Sequence, residues 1–264
     1  MLLDFDKLGG LKPFLIGLTV LVCLFLILPI VFIAALSFGS SQWLIFPPPS
    51  WTFKWYQMLF ADPRWLYSAL TSLKIAAIVT VLSVVLGFLA ALGLNRGSFV
   101  GRDALRALFL TPMILPVVVL AVALYALFLQ LGLAGTTVGF IIAHLLIALP
   151  FSIISIGNAL EGFDKSIEDA AILCGASPWE ARIRVTVPAV SHGIFAAAIF
   201  SFLASWDEVV LAIFMASPPL QPLPVKTWAT LPPDLTPGIP AALTPLLALS
   251  IQPLVVACLF LKCC

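Results

Sequence analysis

The sequence predicts an all-α integral membrane protein with six transmembrane helices, on three observations. Of its 264 residues, 62% are hydrophobic and only 9% charged, where an ordinary soluble domain carries roughly 25% charged and 45–50% apolar residues. Six segments, about 13–37, 66–95, 104–131, 138–160, 189–216 and 241–262, are apolar over the roughly 20 residues a helix needs to cross a bilayer core. Most of the lysines and arginines fall between or at the ends of those segments, chiefly on one side, and Lys74 lies inside the second. The same composition excludes a soluble enzyme with a polar shell and an intrinsically disordered chain. A net charge of +1 offers no clustered basic surface, so no nucleic-acid partner is expected.

Taken in order, the first span follows Lys7 and Lys12. Its apolar run is longer than the roughly 7–15 residues of a signal-peptide core, and no small-x-small cleavage site follows, so it reads as a membrane helix. Residues 40–65 hold Trp43, Trp51, Trp55 and Trp65 with Pro47-Pro48-Pro49. Tryptophans favour the headgroup layer, which predicts a segment lying along the outer membrane surface. Gly87, Gly93 and Ala90-Ala91 in the second span fit close helix packing. Pro112 and Pro116 in the third span and Pro150 in the fourth predict kinks. The outer loop 217–240 contains eight prolines and should be extended and irregular, as a docking surface or as a lid. The cysteines form no C-x-x-C pair. Cys23, Cys174 and Cys258 read as small buried apolar side chains, and the terminal Cys263-Cys264 pair as a candidate for acylation.

Orientation follows from the basic residues. Lys7, Lys12, Arg96, Arg102, Arg106, Lys165, Arg182, Arg184 and Lys262 fall on one side, nine in all, against three on the other, Lys54, Arg64 and Lys226. Both termini are therefore expected in the cytoplasm.

The inner loop 161–187 is polar and dense in helix signals. Ser166 with Asp169 three residues on has the capping-box pattern that starts a helix. Ile167, Ala170, Ala171 and Cys174 follow at i, i+3, i+4 and i+7 as one apolar face. Gly175 is suited to the left-handed stop of that helix. Ser177-Pro178-Trp179-Glu180 supplies an N-cap serine, a proline at the first helical position and an acid at the third. Two short helices hinged at Gly175 are expected, with Pro188 opening the next span. Their small apolar face fits a groove on another protein, and a connector packed on its own bundle fits equally.

Asp169-Ala170-Ala171, three residues, Gly175, nine residues, then Val185-x-Val187-Pro188 resembles the EAA loop of the inner-membrane permeases of ATP-binding-cassette (ABC) importers. Asp stands for Glu, and Val for Ile and Leu. With the outer loop Phe46–Trp65, with Thr71-Ser72-Leu73-Lys74 and with Ser205–Phe214, nearly the whole chain is similar to the second permease subunit of the spermidine/putrescine importer group. The resemblance implies a MetI-like type I importer permease, a single permease domain over 1–264 with its ATPase-coupling loop at about 161–187, in the bacterial inner membrane. It assigns to coupling Ser166, Asp169, Ala170, Ala171, Gly175, Ser177, Glu180 and Pro188. The implied partners are a second homologous permease, a dimer of ABC ATPases, an extracytoplasmic substrate-binding protein and the lipid bilayer. ATP and Mg would be bound by the ATPase subunits, with no cofactor and no enzyme activity in this chain. The sequence agrees in having no G-x-x-x-x-G-K-[ST] phosphate loop. The cargo implied is a small cationic solute such as a polyamine, moved when the ATPases push the loop about Gly175 and tilt the fifth span.

Asp207 and Glu208 interrupt the apolar fifth span. An acid near the membrane centre costs about 2.5–3.5 kcal/mol on insertion scales, so it faces a bundle interior or water. At the helical rise per residue, Asp207 lies about 13 Å, and Lys74 about 12 Å, from the outer ends of their spans. Three roles are open: an ion pair with Lys74, attraction of a cargo amino group, or contact with the partner permease. Successive helix residues point about 100° apart, so the two acids divide these roles. Trp206 offers a cation–π face to an alkylammonium or a ring to lipid. Asp207, Glu208, Trp206 and Lys74 are the substrate-path candidates. His144 and His192 lack metal-ligand spacing and read as packing histidines.

A proton-coupled secondary carrier using Asp207 and Glu208 is the alternative of another class. Such carriers show a repeated half with matching broken helices, absent from this sequence, and have no use for the 166–187 loop. A membrane protease or esterase would need a G-x-S-x-G nucleophile, also absent.

Overall fold

Apolar stretches free of breakers form long helices, and prolines and polar pairs set where those helices end. The computed structural model describes residues 11–41 and 45–230, in which every regular element is helical. Lys7, Trp43, Cys258, Lys262, Cys263, Cys264, the expected sixth span and the far part of the Pro-rich loop lie outside the described residues. The chain divides into two compact units, with residues 1–62 in one and 63–229 in the other.

In the first unit, α1 (Leu11–Leu36) is exposed along most of its length, as suits a helix whose every face is apolar. Cys23 on it is exposed too, which corrects the expectation of a buried thiol. The chain then ties a small knot. The Thr52 N–H donates to the Phe38 carbonyl at 2.8 Å, and the Trp55 indole N–H to the Gly39 carbonyl at 2.8 Å. Phe38 packs against Phe53 and Tyr56. The short helix α2 (Lys54–Ala61) grows from the knot with no residue buried, and Trp51, Phe53, Met58 and Phe60 point outward. The expected surface-lying segment thus contains one short helix, preceded by the exposed Trp51 and Phe53 and carrying the exposed Met58 and Phe60.

The second unit is built on three helices, α3 (Pro63–Arg96), α6 (Thr137–Glu161) and α10 (Ser191–Trp206), packed against one another. At their centre three buried serines, one from each helix, form a closed ring. Ser83, Ser152 and Ser201 lie 2.9, 3.1 and 2.8 Å apart, and Ser201 also donates to the Ala148 carbonyl at 3.3 Å. One turn on, Gly87 lets α3 meet α6: a Cβ there would stand 2.5 Å from that of Ser152. Ala91 shares that buried face, whereas Gly93 points into open space. Of the small residues singled out in the sequence, Gly87 and Ala91 are therefore the ones that close the packing.

Two of the six expected spans are not single rods. In the third, α4 (Arg102–Ile114) and α5 (Val117–Leu131) meet at 104°. Pro116 has no N–H to continue the helix and forces Leu115 into an extended conformation, φ −70° and ψ 139°. In the fifth, α10 starts after a 74° corner and stops at Trp206. A separate helix α11 (Val210–Met215) resumes beyond the acid pair. Pro150 is accommodated inside α6, which stays unbroken. Three described helices, α1, α3 and α6, are long and apolar enough to cross a membrane singly, and each bent pair adds one if taken as one span. The near part of the Pro-rich loop is more ordered than expected. A further helix, α12 (Leu223–Ala229), forms there, and its Leu223 N–H donates to the Ser72 hydroxyl at 2.8 Å.

Candidate functional site

Between α6 and α10 the chain leaves the bundle as α7 (Lys165–Leu173), α8 (Pro178–Ala181), a π-helical stretch (Arg182–Thr186) and α9 (Val187–Ala189). Two short helices were expected here, with the first capped by Ser166 and Asp169. The cap is instead Asp164, whose side chain accepts from the Ser166 N–H at 2.9 Å. An Asp two residues earlier does the same work as the serine, and Ser166 lies inside the first turn. Hydrogen bonds from the Ser166 N–H and then its hydroxyl, with the Arg96 charge nearby, hold the Asp164 carboxyl below its ordinary value of 3.8.

The exit from α7 follows the sequence closely. The Ala176 N–H donates to the Ala171 carbonyl and the Gly175 N–H to the Ile172 carbonyl, at 3.1 and 2.9 Å. This is a Schellman stop, and Gly175 occupies the left-handed region at φ +99°. Ser177 and Glu180 then form a reciprocal capping box. The Ser177 N–H, then its hydroxyl, and then the Arg184 charge lower the Glu180 carboxyl from its ordinary 4.5.

The apolar face of α7 points away from the bundle. Ile167, Ala170 and Cys174 are exposed, Cys174 against the expectation of burial, and Ala171 is half-buried. Asp169 is exposed as well. Leu173 is 89% exposed and is joined by Trp179 and Ile183, with the Arg182 guanidinium 5.1 Å above the Trp179 ring. The inward residue is one that sequence reasoning passed over. Glu168 is 4% exposed; it accepts from the Thr186 hydroxyl at 2.9 Å and pairs with Arg182 at 3.4 Å. Periodicity offers no signal for it, because Asp169 stands beside it and its partners lie 14 and 18 residues further on.

The second cluster surrounds the break in the fifth span. Asp207 ends α10 and is exposed. Glu208 is half-buried and caps α11, accepting from the Leu211 N–H at 3.0 Å. Lys74 is exposed on α3 and makes no ion pair with either acid. The two acids do divide their roles, but neither is neutralised by that lysine. Trp206 is 5% exposed and stacks on Phe202, with ring centroids 5.7 Å apart. At that exposure its ring is covered within the chain rather than presented on its surface. Behind the break lies a small cavity lined in part by Ser72, Phe140, His144, Ser205 and Glu208. His144 is buried, with Nδ1 3.0 Å from the Ser205 hydroxyl, and its Nε2 has no partner. His192 is exposed rather than packed.

Residues 83–260 match the family model of the binding-protein-dependent transport system inner membrane component. The chain is 30% identical over 230 residues to the spermidine/putrescine transport system permease protein PotC of Escherichia coli, covering 86% of each. It is 28% identical over 240 residues to the putrescine transport system permease protein PotI of the same organism, covering 88% of this chain and 85% of that one. The sulfoquinovosyl glycerol transport system permease protein SmoH of Agrobacterium fabrum is 28% identical over 203 residues, or 75% of this chain and 71% of that one. In fold, the chain resembles a bacterial ABC transporter for the acidic polysaccharide alginate, with a TM-score of 0.71 at 17% identity over 97% of this chain and 96% of the other. These likenesses replace the secondary-carrier alternative, and they make the molecule a transport component rather than an enzyme. The chain belongs to the binding-protein-dependent inner-membrane transport components and is a permease subunit of an ABC importer.

Proposed function

We propose that this permease forms half of the translocation path for a small cationic solute of the polyamine class. Its partners are a second, homologous permease, two ABC ATPases seated on the α7–α9 loop, and a binding protein outside the cell. Both termini lie in the cytoplasm, and the chain works as one permease domain. ATP and Mg are bound by the ATPase subunits, and this chain contributes the path and the docking loop. The observation that carries the cargo class is the likeness to two polyamine permeases over more than four-fifths of the chain. It is supported by an exposed acid, Asp207, left without a cation beside it at the break of the fifth span.

Mechanistically, the exposed apolar patch of Ile167, Leu173, Trp179 and Ile183 is the docking face. Ser166, Asp169, Ala170 and Ala171 border it on α7, and Gly175, Ser177, Glu180 and Pro188 hold the turn and the next helix in place. Movement of the ATPases reaches α10 through the loop. At its far end Asp207 offers an ammonium group a carboxylate where the helix has stopped. Glu208 keeps α11 capped, and Lys74, on the neighbouring α3, sets the local charge.

The test is uptake of radiolabelled putrescine by proteoliposomes holding the complex purified through this chain. Recovery of an ATPase and a second permease, with ATP-dependent uptake that alginate and sulfoquinovosyl glycerol fail to compete, is expected. An assembled, ATP-hydrolysing complex that moves no putrescine or spermidine would discard the polyamine cargo and keep the importer.

A further inference from the structure

We infer that Glu168 is a positioning residue for transport: it locks the α7–α9 loop across its own glycine turn, so that the loop moves as one piece and bends at Val190 instead of at Gly175. The inference rests on the reading of this loop as the ATPase seat.

The turn at Gly175 has little to stiffen it sideways. A Cβ at Gly175 would meet nothing within 4 Å, so the turn residue itself is held by its Schellman hydrogen bonds and not by packing against it. The restraint lies one helix length away. Glu168 reaches from α7 to the π-helical stretch, where one carboxylate oxygen accepts from the Thr186 hydroxyl and the other pairs with Arg182. Thr186 is fully buried. A threonine hydroxyl within a helix ordinarily turns back to a carbonyl of its own preceding turn. Here it is spent on the facing helix. A π stretch is an uncommon conformation that persists where its surroundings hold it, and Glu168 bonds residues at both of its ends.

Beyond the clamp the chain turns a corner. Val190 turns the axis through 74° at φ −97° and ψ 16°, fully buried. Three residues on, Gly193 lies against α6 so closely that a Cβ would stand 2.4 Å from that of Ala159 and 2.9 Å from the Ser155 carbonyl oxygen. The loop is therefore rigid up to Ala189 and the start of α10 is seated on α6, leaving the corner at Val190 as the place where the two bodies can change angle. A push on Leu173 or Trp179 then reaches Thr186 through Glu168. Without the carboxylate, α7 swings about Gly175 and the push stops there.

Hydrogen exchange on the full chain in nanodiscs tests the clamp first. Glu168→Gln and Thr186→Val should each raise exchange of the 165–173 amides about tenfold while Thr186→Ser leaves it unchanged, since a hydrogen bond to a charged group commonly contributes more than a factor of ten. Unchanged exchange in both variants overturns the clamp, whatever the loop docks against. The second measurement uses the assembled complex with and without a non-hydrolysable ATP analogue. In the wild type, nucleotide should alter protection in both 165–173 and 191–196. In Glu168→Gln it should alter only 165–173, with the ATPase still bound. A response at 191–196 equal to wild type in that variant overturns the positioning role. If no ATPase accompanies the wild-type chain, the docking reading fails and the positioning role with it, while the first measurement still decides the clamp.

Discussion

The α7–α9 loop and the break in the fifth span are both polar interruptions between apolar helices, yet they are held by opposite means. The loop is fixed within itself, by hydrogen bonds between residues close in sequence, Asp164 to Ser166, Ala176 to Ala171 and Ser177 to Glu180, and by the bonds of Glu168 to Thr186 and Arg182 across its own turn. Its apolar side chains are left outside. The break is fixed by its surroundings. Trp206 is 5% exposed and Ser205 meets His144 from α6, while the Trp206–Phe202 stack and the Glu208 cap are its local contacts. A locally held segment can keep its shape while a partner pulls on it. A segment held by the bundle changes shape when the bundle rearranges, which suits a gate in the path more than a handle.

The largest effect that separates the two regions should come from Gly175→Pro. Proline cannot reach φ +99° and has no N–H for the Ile172 carbonyl, so the Schellman stop is lost outright. Co-purification of the ATPase should vanish while the chain still reaches the membrane. Gly175→Ala, which faces only the left-handed penalty of about 1–2 kcal/mol, should weaken co-purification by roughly tenfold. ATPase recovery unaffected by Gly175→Pro would show that the loop's local order is irrelevant to docking.

At the break, single acids should behave unequally. Asp207→Asn removes the exposed charge and should cut putrescine uptake about tenfold, the loss of a charge-assisted hydrogen bond of about 1.5–3 kcal/mol, with assembly intact. Glu208→Gln keeps an acceptor for the Leu211 N–H and should leave uptake within about twofold. The reverse order in the same proteoliposome assay would move the path-facing role to Glu208.

How much of this was legible depended on the reach of the interaction concerned. Gly175, Ser177 and Glu180 could be read because a cap involves residues two to four apart. Asp164 was overlooked because two capping patterns overlap there, and the structure uses the earlier one. Glu168 was invisible to periodicity: its partners lie 14 and 18 residues further on, and nothing local distinguishes it from Asp169. The break at Asp207 was hidden for the converse reason, since the apolar run resumes at Val209 and reads as one span through the acids. The burial of Trp206 was not legible because a span tryptophan gives no sign of which neighbour covers it.

A smaller effect probes the bundle that supports the break. Ser83, Ser152 and Ser201 satisfy one another inside the three-helix core. Ser152→Ala should lower thermal stability of the purified complex by about 0.6 kcal/mol, and by no more than about 1.7, the range measured for interhelical hydrogen bonds in membranes. Cysteine-free protection or exchange data should place the loss in α3, α6 and α10 and leave 164–182 untouched. A loss that spread into the loop would mean that the two regions share their support after all.

The smallest effect is that of acid on the loop. Asp164 and Glu180 are both held below their ordinary values of 3.8 and 4.5 by the N–H groups they cap. A carboxylate with a lowered native pKa binds protons more weakly when folded than when unfolded, so its contribution is complete above the ordinary value and disappears as pH falls through the native one. Amide exchange at 164–182, corrected for its intrinsic pH dependence, should therefore be flat from pH 7 to about 5 and rise below about pH 4. Ser177→Ala, which removes the hydroxyl partner of Glu180, should shift that rise to higher pH for 177–181 without moving it for 164–168. A rise that Ser177→Ala moved equally at 164–168 and 177–181 would show that the two caps are not independent, and would remove the picture of a handle built from separate local caps.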